Sequence, residues 1–153
     1  LRAFANHASP TGVWVEEQLI REAGSRSTGD ASNAEASAVF LHLVRYLIAA
    51  EKGDDFEFLG GLPPDWLRPG NVTAIRNGLS EFGPFSLNLE VSRDGRSARL
   101  RISPIDGRGS PGNPLCILRV LRECGFTNED GSPLPAQITW PWKSGLDLRF
   151  RRN

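Results

Sequence analysis

The dipeptide Asp94-Gly95, set between two runs of strict alternation, constrains this chain more than any other feature. Phe85, Leu87, Leu89 and Val91 alternate with Ser86, Asn88, Glu90 and Ser92 on one side; Ala98, Leu100 and Ile102 alternate with Arg99 and Arg101 on the other. A period of two belongs to a strand with one buried face, and Asp-Gly is a strong signal for a two-residue type I′ turn. With those two residues as the loop, Val91 faces Ala98, Leu89 faces Leu100 and Leu87 faces Ile102. Glu90 then sits opposite Arg99 on the wet side, a favourable cross-strand pair. Turn chemistry, apolar pattern and charge agree on one register, and an antiparallel hairpin follows.

Further strands are expected around it. Residues 136–140 and 146–151 read as two, the second with Leu148 and Phe150 inward and Asp147 and Arg149 outward, and Lys143-Ser144-Gly145 supplies the turn between them. Residues 71–75 form another candidate. The apolar run 115–122 fits either a strand buried on both faces or a short helix, with strand preferred. Short strands separated by Gly/Pro turns point to an antiparallel β-sandwich of about six to eight strands over residues 71–153.

Upstream the period changes. Val39, Phe40, Leu43, Val44, Leu47 and Ile48 follow i, i+3, i+4 spacing and predict a helix over 34–52. Ser32 is placed to cap it, with Glu35 reaching back in a capping box, and Gly53 to end it in the left-handed conformation. Ala36, Leu41, Ala49 and Ala50 extend the apolar surface nearly all the way round. A surface helix does not read this way. The other helical candidate is 13–23, with Val15, Leu19 and Ile20 on one face, and it cannot cover so much surface. The expected class is therefore α+β: two N-terminal helices over 1–55 as the end of a larger helical domain, a turn-rich connector over 56–70, then the sandwich. The opening Leu1-Arg2-Ala3-Phe4, without an initiator Met or a signal segment, fits a chain whose remaining helical partners lie upstream of Leu1.

Composition narrows the function classes. At 39% hydrophobic and 24% charged, the chain has enough apolar residues for a core and is not a disordered segment. No apolar run has spanning length, so no membrane role is expected. Net charge is zero, divided as 6 Lys+Arg against 10 Asp+Glu before residue 71 and 12 against 8 after it. That asymmetry separates two regions, but no basic stripe with interleaved aromatics points to nucleic acid. Cys116 and Cys124 can pair across a short turn or remain as reduced thiols, the latter being preferred. Two histidines without clustered carboxylates argue against a metal centre, and no cofactor is expected. Asn71-Val72-Thr73 fits a glycosylation triplet. The compartment is open, with a secreted or periplasmic setting slightly favoured over the cytoplasm.

One ordered set of segments carries a family resemblance: Gly12-Val13-Trp14-Val15-Glu16-Glu17, Gly29-Asp30, the apolar helix ending in Ala50-Glu51-Lys52-Gly53-Asp54, then Gly61-Leu62-Pro63-Pro64-Asp65-Trp66-Leu67 and Phe82-Gly83-Pro84. Together they resemble the end of an (α/α)6-toroid glycoside hydrolase of the α-L-rhamnosidase-like kind and its C-terminal β-sandwich. The resemblance implies a catalytic toroid upstream as partner and an oligosaccharide or glycoside as substrate. Hydrolysis of a glycosidic bond needs two carboxyl groups, one protonated and one ionised. Glu16 and Glu17 are the candidates for one of them. Trp14 beside them is a candidate sugar-stacking ring that would also raise a neighbouring pKa. Neighbours on a helix point about 100° apart, which places Glu16 nearer a pocket than Glu17. His7, in a loop, is a candidate hydroxyl ligand. Trp140 and Trp142, flanking Pro141, fit either an exposed sugar platform or the core. Two other readings stay open: a carbohydrate-binding module using those tryptophans, and a structural unit that docks on another chain.

Overall fold

The computed structural model describes residues 17–18, 27–28, 33–105 and 111–152. Glu17–Gln18 (β1) pairs antiparallel with Ser27–Thr28 (β2). The helix expected over 13–23 is thus not continuous through residues 17 and 18. The rest of that segment lies outside the described residues.

Helix α1 runs over Ala34–Ile48. Its cap is Asn33, whose Oδ1 accepts the Ala36 backbone N–H at 2.7 Å. This is one residue later than the Ser32 cap expected, and asparagine serves as well there. Glu35 falls at the second helical position, so the reciprocal arm of a capping box is lost. The helix also ends four residues early. Ala49–Lys52 (β3) leaves it to pair antiparallel with Asp55–Phe58 (β4), Ala49 opposite Phe58 and Lys52 opposite Asp55. Ala-Ala-Glu-Lys has good helix propensity, but pairing buries Ala49 and Ala50 in a sheet, and tertiary burial overrides a weak local preference. Gly53 does adopt the left-handed conformation, at φ 62°, in the β3–β4 turn rather than as a helix stop.

The remaining strands are Val72–Gly78 (β5), Phe85–Val91 (β6), Ser97–Pro104 (β7), Asn113–Ile117 (β8), Phe126–Asn128 (β9), Gln137–Thr139 (β10) and Leu146–Arg152 (β11). A five-residue helix, Arg119–Glu123 (α2), lies between β8 and β9. The run 115–122 therefore uses both of its readings, strand to Ile117 and helix from Arg119. The β6–β7 hairpin has the expected register, with Leu87 opposite Ile102, Leu89 opposite Leu100, Val91 opposite Ala98 and Glu90 opposite Arg99. Its turn is not the type I′ expected, because Gly95 is left-handed at φ 71° and Asp94 is not.

Two sheets result. One is wholly antiparallel, in the order β5-β6-β7-β11-β9; the other has the order β10-β8-β4-β3. In the second, β4 and β8 pair in parallel, Phe56 beside Pro114 and Phe58 beside Cys116. The fold is α+β, one main helix followed by two antiparallel-rich sheets. In place of two helices and six to eight strands, the described residues have one main helix and nine strands in these sheets. The parallel pair has no local signal, because the whole β5–β7 meander intervenes between its partners.

The chain divides into two compact units, Leu1–Tyr46 and Leu47–Asn153. β3 and β4 belong to the sheets of the second unit. In the second unit both sheets share one core. Phe56 and Phe58 from β4 meet Phe85 from β6 edge-on, with ring centroids 5.1 and 5.7 Å apart. Leu87, Leu89, Leu100, Ile102 and Phe150 continue the same buried face. Each such side chain contributes about 1.5–3 kcal/mol by leaving water. In the first unit, α1 keeps Val39, Leu41, Leu43 and Tyr46 at 44%, 67%, 41% and 50% exposure.

Candidate functional site

Alternation places the odd-numbered residues of β11 and β7 on the wet face of the five-stranded sheet. Arg99 forks onto Asp147, with Nε 2.9 Å from Oδ1 and Nη2 bonded to Oδ2. Arg149 stands directly opposite Arg99, a like-charge pairing that would repel. Acidic neighbours offset it: Asp147 on Arg99, and Glu129 at 4.0 Å from Arg149. Glu90, Ser92, Ser97, Arg99, Glu129 and Arg149 line a shallow depression of about 340 Å³ on this face.

A general acid needs its pKa raised toward neutrality. The displaced carboxyl groups among the described residues all move the other way. The Arg99 guanidinium holds Asp147 below the usual carboxylate range. A hydrogen bond from the Ser92 hydroxyl, followed by the Arg96 backbone N–H, lowers Asp94. Ser132 does the same for Asp130 through its hydroxyl and backbone N–H. These carboxylates are exposed and hydrogen-bonded, Asp147 on the sheet face and Asp94 and Asp130 in turns.

A second depression, about 270 Å³, lies where β4 ends. Leu59 stands there at φ 62°, a left-handed conformation unusual for a non-glycine residue. Leu59, Gly60, Gly61, Leu62 and Ile117 line it, with the exposed Arg119–Glu123 pair at its rim, 3.8 Å apart. It contains no nucleophile and no acid–base pair.

The residues singled out from the sequence fall as follows. His7, Trp14 and Glu16 lie outside the described residues. Glu17 is described through its backbone, which pairs with Thr28 in β1–β2. Trp142 is 2% exposed and packs on Phe56 and Phe58 at 5.6 and 6.0 Å. Trp140 is half-buried against Phe58 at 5.7 Å. Of the two roles open to this pair, Trp142 takes the core role, because its ring is enclosed and has no free face for a sugar. Both indole N–H groups are buried with no acceptor among the described residues. Cys116 and Cys124 are free thiols, and burial pushes the Cys116 thiol well above its ordinary pKa, away from nucleophilic use. Among the described residues no group of three or more His, Cys, Asp or Glu side chains gathers to hold a metal ion, and no helix is long and apolar enough to cross a membrane.

Two polar arrangements went unanticipated. The Arg99–Asp147 fork depends on β11 adding to β7, which alternation in each strand alone does not reveal. The other is Arg152, which donates to the Gly95 carbonyl from Nε at 2.9 Å and Nη2 at 2.7 Å, and to the Cys124 carbonyl from Nη1 at 3.3 Å. Its guanidinium lies 4.5 Å from the centre of the Phe126 ring. Its position at the end of the alternating run Asp147-Leu148-Arg149-Phe150-Arg151 was the available signal. No known protein family, curated protein or solved structure matches this chain.

Proposed function

We propose that this chain is the C-terminal portion of a carbohydrate-active glycoside hydrolase, in which the sheets brace a catalytic helical toroid formed by the rest of the protein. The observation that carries this reading is α1. At 100° per residue, Val39, Leu43 and Tyr46 fall on one stripe and Leu41 on the opposite side, and all four are exposed. Covering them would contribute about 1 kcal/mol per side chain, which favours packing among further helices. The ordered segments that resemble the α-L-rhamnosidase-like enzymes name the kind of helical domain. The enclosed Trp142 and the downward-shifted carboxylates support a bracing role for the sheets rather than a catalytic one. Glu16 and Glu17 are the residues through which this chain would reach the glycosidic bond, supplying one carboxylate to a site whose other member lies elsewhere in the protein.

Incubation with an aryl α-L-rhamnoside tests this. The isolated chain is expected to release no aryl alcohol, whereas the protein encoded by the complete reading frame hydrolyses a glycoside. Turnover by the isolated chain would overturn the proposal.

A further inference from the structure

We draw no further inference here: the strongest candidate, the exposed apolar stripe of α1 formed by Val39, Leu43 and Tyr46, already carries the functional proposal, and nothing in the structure shows what covers it.

Discussion

Replacing Arg152 with Ala should loosen the second unit by a calculable amount. Gly95 is buried within a turn whose other residues are exposed, and its part-buried carbonyl receives two N–H bonds from this one guanidinium, at 2.9 and 2.7 Å. Stripping such a carbonyl of both donors costs about 1–3 kcal/mol, the upper end applying to full burial. The ring contact with Phe126 adds about 0.5–1 kcal/mol for a partly exposed site, and the 3.3 Å bond to the Cys124 carbonyl adds little. The expected loss is about 2–3 kcal/mol, or roughly 4–12 °C in Tm for a chain of this size. Arg152→Lys retains the charge over Phe126 but cannot fork onto the carbonyl, so it should recover about half of the loss. Urea unfolding followed by circular dichroism measures both variants. An Ala variant within about 0.5 kcal/mol of wild type, the range of an ordinary surface change, would refute this role for Arg152. So would a Lys variant as stable as the parent.

Other consequences are as direct. Gly145 combines φ 65° with ψ −176°, backbone space open essentially to glycine alone, and an added Cβ would lie 2.8 Å from the Ile102 carbonyl oxygen. Gly145→Ala should therefore cost about 2 kcal/mol or more, while Gly53→Ala, left-handed but facing open space, should cost about 1 kcal/mol; thermal melts that rank them equally would contradict the packing. In native protein a disulfide-exchange reagent should label Cys124 quickly and Cys116 only as the core opens, and equal rates would refute the burial of Cys116. Because burial raises the Cys116 pKa above its ordinary 9.0, the unfolded chain releases that proton first. This contribution to stability should be intact below pH 9 and decline as pH rises beyond it.

How much of this was readable beforehand depends on the range of each signal. The β6–β7 register was legible because alternation, Asp94-Gly95 and the Glu90/Arg99 pair all act within a few residues of one another. The end of α1 was not. Ala49 to Lys52 favour a helix locally, and only their pairing with β4 makes them a strand. The parallel pairing of β4 with β8 was equally hidden, since the partners Phe58 and Cys116 lie 58 positions apart in the sequence. Gly53 shows the intermediate case: its left-handed backbone was evident from the residue type, and the element it terminates was not. For the candidate site, burial distinguishes what composition could not. Trp140 and Trp142 read the same in sequence, and the aromatic cluster of Phe56, Phe58 and Phe85 accounts for their packing. Glu16, Trp14 and His7 rest on the resemblance alone.

Sedimentation velocity of the isolated chain, run alongside a hydrophobic dye and repeated on a Leu41→Glu/Leu43→Glu variant, addresses the exposed surface of α1 most directly. If that surface needs a helical partner, the parent should self-associate as concentration rises and bind dye. The variant should remain monomeric and bind little, with an unchanged circular dichroism spectrum. A parent chain that stays monomeric and dark throughout, indistinguishable from the variant, would contradict the need for a covering domain.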